Sequence, residues 1–140
     1  MTQGQKLVIT ATLVTAVALA SSTIMLTQGD PCGNHPVAVV AAPGGRQKAV
    51  IFDRGCGASS AQMGRMVSLL PSDAKFPADG EVGNAFRVDS RVGAAGAAPL
   101  DVAASWESDS VLVIRHRPGA HVSFAVLRDR GVRIRYDTLP

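Results

Sequence analysis

Val132-Arg133-Ile134-Arg135-Tyr136 alternates apolar and charged side chains at every step. In an extended strand Val132, Ile134 and Tyr136 turn to one side and both arginines to the other, the pattern of a strand with one face buried. Segments of the same length recur upstream, separated by turn residues. The runs at 100–106 and 111–116 flank Glu107-Ser108-Asp109-Ser110, and the runs at 121–127 and 132–136 flank Arg128-Asp129-Arg130-Gly131. Short connections between such runs predict a four-strand antiparallel meander. Nearer the start, 37–41 and 48–53 bracket Pro43-Gly44-Gly45, which predicts a hairpin, and further strands are expected at 66–70 and 84–89.

The fold class is therefore mainly β, a small antiparallel sheet or sandwich of about seven to eight short strands. The composition agrees, with 14 Gly, 8 Pro and 4% aromatics among 140 residues. The core expected from the alternation comprises Val50, Phe52, Val67, Leu69, Phe86, Val102, Trp106, Leu112, Ile114, Val122, Phe124, Val126, Ile134 and Tyr136. The polar stretch 72–83 reads as a surface excursion and Gly93-Ala94-Ala95-Gly96-Ala97-Ala98-Pro99 as a flexible loop.

The N-terminus has a different character. Residues 7–26 carry no ionisable side chain, and the next charge after Lys6 is Asp30. As one hydrophobic helix these twenty residues would span roughly 30 Å, the thickness of a bilayer's hydrocarbon core. The charge bias keeps residues 1–6 in the cytoplasm as a stub and sends the remainder out. Ala18-Leu19-Ala20 followed by Ser21 also fits a signal peptidase site. The segment is thus a retained signal anchor, giving a single-pass membrane protein with N-in, C-out topology, or a signal peptide cleaved after Ala20, giving a secreted or periplasmic protein. Residues 27–33 read as a linker broken by Gly29-Asp30-Pro31, and 34–140 as one exported β domain.

Export bears on the cysteines. Cys32 and Cys56 are the only two, and in an oxidising compartment they are expected to form a disulfide. A thiol or hydrolase site around Asp53, Arg54 and Cys56 is the alternative, since an arginine beside a cysteine lowers its pKa. His116 and His121 bracket Arg117-Pro118-Gly119-Ala120 and could face each other, but no third ligand is nearby, so neither a metal nor a cofactor is expected. Pro43-Gly44-Gly45-Arg46 is too short for a phosphate-binding loop.

The formal charge is only +3, yet six arginines fall between residues 115 and 135: Arg115, Arg117, Arg128, Arg130, Arg133 and Arg135. They form the candidate binding face. Its expected partner is an anionic lipid, an envelope glycan or an acidic protein, and nucleic acid is not expected because no aromatic residues interleave the cluster.

Residues 42–57, Ala-Pro-Gly-Gly-Arg-Gln-Lys-Ala-Val-Ile-Phe-Asp-Arg-Gly-Cys-Gly, followed by Met66-Val67-Ser68-Leu69-Leu70-Pro71, resemble small single-anchor bacterial envelope proteins of unknown function. Those proteins show a Ser-Pro-Asp-Gly-like turn, a Lys-Ala-Val-Phe-like strand, an Asp-Arg-x-Cys-Gly loop and a later Trp-x-x-x-x-x-Leu-x-Ile element. Here Asp53 to Gly57 match the loop, and Trp106 with residues 111–114 stands in the later place; Ala42 and Gly44 replace the Ser and Asp of the turn. The resemblance implies an anchored envelope domain with a cysteine-pinned loop and supplies no activity. The same turn and strand also resemble blades of the periplasmic β-propeller of the Tol system. A propeller needs several blades of about four strands each, so the likeness is one of hairpin grammar.

Overall fold

An antiparallel sheet and a mixed sheet close on one apolar core. A computed structural model describes residues 32–57, 63–90, 92–93 and 96–140, and all of them belong to the unit Cys32–Pro140. The stretch 7–26, read above as an anchor or signal, lies outside the described residues. No helix among the described residues is long and apolar enough to cross a membrane.

The strands are β1 (Cys32–Ala41), β2 (Gln47–Cys56), β3 (Met63–Pro71), β4 (Phe86–Asp89), β5 (Val92–Gly93), β6 (Gly96–Ala97), β7 (Val102–Ser108), β8 (Val111–His116), β9 (His121–Ala125), β10 (Arg128–Asp129) and β11 (Val132–Thr138). A five-stranded sheet has the order β1-β2-β3-β4-β9, and a four-stranded sheet the order β10-β11-β8-β7. β5 and β6 form a two-residue ladder of their own that overlaps the stretch read as a flexible loop, starting one residue before it at Val92.

The predicted first hairpin is present and longer than its apolar run. β1 begins at Cys32, inside the stretch read as linker, and β2 continues through Arg54, Gly55 and Cys56, which were expected in a loop. At the turn Gly45 N donates to Ala42 O at 2.9 Å. An added Cβ at Gly44 would lie 2.5 Å from the Asp109 carboxylate, which accepts the Gly44 N–H, so the exposed Asp109 side chain would have to give way.

The predicted meander is not what forms. β7 and β8 pair antiparallel, but β9 crosses to the five-stranded sheet, where it pairs with β4, and β11 returns to lie parallel to β8. The turn chemistry explains the departure. Ala120 N donates to Arg117 O at 3.2 Å and Gly119 sits at φ +83°, so Arg117-Pro118-Gly119-Ala120 has the Pro-Gly pattern of a type II turn. Such a turn splays the flanking strands instead of pairing them. By contrast Arg130 (φ 49°) and Gly131 (φ 75°) carry the two positive φ values of a type I′ turn, and β10–β11 is a tight hairpin. With β9 inserted as a crossover, the parallel pairing of β8 and β11 becomes possible.

Alternation then fills the interior. Ala49 and Ile51, Val67 and Leu69, Phe86 and Val88 from one sheet meet Val102, Leu112, Ile114, Val132 and Ile134 from the other. Of the expected core, Val122 is 38% exposed, because β9 is an edge strand, and Phe124 lies beneath the Arg87 guanidinium, 4.3 Å from the ring centroid. Trp106 is half-buried and donates from Nε1 to Val40 O at 2.9 Å, tying the two sheets at their edges. Tyr136 donates to Val126 O at 2.6 Å.

Val50 and Phe52 are buried on the other face of β2, so that strand is covered on both sides. The cover is the 72–84 excursion. Phe76 meets Phe52 edge-on with centroids 5.8 Å apart, and Lys48 Nζ donates to the carbonyls of Ser72 and Ala74. The Asn84 amide bonds both backbone groups of Leu69, standing in for a missing strand neighbour. A stretch that is polar in composition therefore lids a second, smaller apolar layer.

Tyr136 offers a direct check on this packing. Burial pushes its phenol up to about 12 from the ordinary value of 10.0. A tyrosine held neutral in the fold but ionised when unfolded contributes stability that is present below about pH 10 and is lost as pH rises through about 12. As the chain has one tyrosine, ultraviolet titration of tyrosinate reads this group alone. Half-titration is expected near 12, and a midpoint near 10 would show that the ring is not packed as described.

Candidate functional site

Two groupings are chemically distinctive in the sequence, and the fold treats them differently. Asp53, Arg54 and Cys56 lie on one strand, so successive side chains leave on opposite faces. Asp53 turns to the inner side and is gripped by Arg65 on β3 through two hydrogen bonds, Nε to Oδ1 at 2.7 Å and Nη2 to Oδ2 at 2.9 Å. That hydrogen bond raises the Arg65 pKa against the opposing effect of partial burial. Arg54 turns to the outer side, where it is buried and bonded to Asn34 Oδ1 at 3.0 Å and to the carbonyls of Asp79 and Glu81. Cys56 is bonded to Cys32, its direct register partner on β1, and neither cysteine is free. The three residues do not converge, and the thiol the alternative reading needs is consumed in the crosslink.

The histidines likewise part. His116 stacks on Phe86 with centroids 5.6 Å apart, whereas His121 on the other sheet meets Asp89 at 2.9 Å. Among the described residues no group of three or more His, Cys, Asp or Glu side chains is placed to hold a metal ion. A groove of about 650 Å³ opens under the 72–84 excursion, lined by Leu70, Phe76, Pro77 and Val82 with Lys75 and Glu81 among its polar residues. The Glu81 carboxylate accepts from Ala78 N at 2.6 Å.

The six arginines belong to the side of the molecule built by the four-stranded sheet, but they are not equivalent. Arg135 Nη1 reaches both oxygens of Glu107 at 2.7 and 2.8 Å, spanning β8. Arg115 donates to Ser105 Oγ at 2.8 Å and lies 3.8 Å from Asp137. Val113, flanked on that face by these arginines, is only 2% exposed, so their aliphatic stems act as its cover. Arg117 leaves the sheet at the type II turn and pairs with Asp101 at 2.9 Å and with the Pro140 carbonyl. These three are structural neighbours of nearby carboxylates.

Arg128, Arg130 and Arg133 form the remainder. All three are exposed, and among the described residues none meets a carboxylate within ion-pair distance. Arg128 and Arg133 are direct register partners across β10 and β11, which places two guanidinium stems side by side on one face. Asp129 is the register partner of Val132 and so turns to the opposite face. Arg130 occupies the turn between them, and Gln47 Nε2 donates to its carbonyl at 3.3 Å, bringing exposed Arg46 of the first hairpin to the same end of the molecule. Residue spacing alone does not distinguish the free arginines from the paired ones; their separation depends on which strands carry Glu107, Asp137 and Asp101 alongside.

No protein-family model matches the chain, and no curated protein and no solved structure is significantly similar to it. The reading of its function accordingly rests on the site itself.

Proposed function

We propose that this chain is a membrane-tethered extracytoplasmic β domain, non-catalytic, that captures an anionic component of the cell envelope through the arginine face. The apolar run 7–26 supplies the tether, and capture near a membrane gains from the raised local concentration that tethering brings. One observation carries the reading: Arg128 and Arg133 stand directly opposite each other with no carboxylate between them. Like charges at such a position cost stability, so the pair makes sense when an anion from outside completes it.

Arg130 supports the same view. A left-handed backbone position favours Gly or Asn, and an arginine there costs about 1 to 2 kcal/mol. Arg130→Asn is expected to raise stability by about that amount in urea denaturation, while weakening anion binding. A variant that is less stable than the parent would mean that Arg130 serves the turn and not a ligand.

The binding test uses the full chain and inorganic polyphosphate as the probe. Arg128→Glu with Arg133→Glu is expected to weaken binding tenfold or more at low salt, on the order of what two surface arginines contribute, and to flatten its salt dependence. Unchanged affinity in the double variant would remove the proposal.

A further inference from the structure

The hairpin that carries the free arginines also carries Leu127, 74% exposed and the most exposed large hydrophobic side chain among the described residues. Its backbone is held in place, since Ile134 N donates to Leu127 O at 2.9 Å and Val126 just before it packs on the core. Leu127 therefore protrudes from a fixed position beside Arg128, with Arg130 and Arg133 on the same short ribbon. Of the carboxylates nearby, Glu107 is engaged by Arg135, Asp137 by Arg115 and Asp109 by the Gly44 N–H, and Asp129 turns to the face opposite Arg128 and Arg133.

An exposed aliphatic side chain on the same short segment as unpaired guanidinium groups is a combination that fits one kind of surface. At the face of a phospholipid bilayer, phosphate groups lie just outside a layer of acyl chains, so basic residues and a protruding apolar residue are satisfied together. A protein partner would be expected to meet an apolar centre with aromatic anchors, and the only tryptophan and tyrosine here are engaged in tying the sheets. We infer that the 127–133 hairpin is a docking element for anionic phospholipid: Arg128, Arg130 and Arg133 engage headgroup phosphates while Leu127 enters the interface. This deepens the proposed function and rests on the same face, naming its partner as lipid.

The test holds the full chain in phosphatidylcholine nanodiscs and offers vesicles of phosphatidylcholine with or without phosphatidylglycerol, reading co-flotation. Binding is expected only with phosphatidylglycerol, falling with salt, reduced roughly twentyfold in Arg128→Gln/Arg133→Gln at about fivefold per arginine, and roughly fivefold in Leu127→Ala. These exposed substitutions are read alongside thermal unfolding, which should not fall. Equal flotation with both vesicle types, or flotation indifferent to the double variant, overturns the lipid assignment. If vesicles fail while polyphosphate still binds in an arginine-dependent manner, the lipid assignment falls and the basic-face function stands. If neither binds, both fall.

Discussion

Replacing Cys32 and Cys56 together by serine is expected to lower the stability of the domain by about 3.5 kcal/mol, the chain-entropy value for a crosslink closing a loop of about 25 residues. The two cysteines are 24 residues apart in sequence and occupy the last register pair of the β1–β2 ladder. β1 is an edge strand, and its register shifts between Pro36 and Ala38, where Pro36 has no N–H to offer. His35, Pro36 and Val37 are exposed, and Asn34 is the buried residue at this end of the strand. Without the crosslink the first residues of β1 should fray, whereas Ala49, Ile51 and Phe52, fully buried in β2, keep their protection. Urea denaturation of the oxidised parent and the double serine variant measures the total, and hydrogen exchange locates it. A loss under 1 kcal/mol would show that the crosslink closes a contact already secure without it.

Replacing Arg54 by methionine should cost about 3 to 4 kcal/mol, although methionine matches its length and suits a buried site. Arg54 is 7% exposed. Its Nη1 serves Asn34 Oδ1 and the carbonyls of Asp79 and Glu81, while Asn34 Nδ2 donates to the carbonyls of Ala78 and Glu81 at 2.7 and 2.9 Å. Asn34 N also donates to Asp79 Oδ1 at 2.9 Å. The pair thus stitches the 77–81 turn to both strands of the first hairpin, and methionine would take the Arg54 donor from Asn34 Oδ1 and the Asp79 carbonyl. Loosening that turn also lifts Phe76 from Phe52. Arg54→Lys should recover only part of the loss, since an ammonium is more strongly hydrated than a guanidinium and less suited to a buried site. Faster tryptic cleavage at Lys75 should accompany destabilisation in the methionine variant. A methionine variant as stable as the parent would show that the carbonyls find water instead.

These two sites also mark the limit of reading along the chain. The disulfide could be expected from two cysteines and an export segment, and it is formed. Arg54 resembled a residue of a reactive loop, and its burial could not be anticipated because its acceptors come from residues 20 to 27 positions away. The candidate face was equally half legible. Arginine spacing announced a basic surface, but only strand order shows that Arg115, Arg117 and Arg135 have acids beside them while Arg128, Arg130 and Arg133 do not.

Alternation such as Val132-Arg133-Ile134-Arg135-Tyr136 and the Pro-Gly-Gly turn were enough to determine a β fold, the first hairpin and most of the core. Side-chain period and turn chemistry are local properties, readable from neighbours in the chain. Which sheet each strand joins, the parallel alliance of β8 with β11, and the covering of β2 by a polar excursion were decided by tertiary structure alone. Those choices depend on which distant faces can be buried together, and that free energy belongs to pairs of segments and not to any one of them.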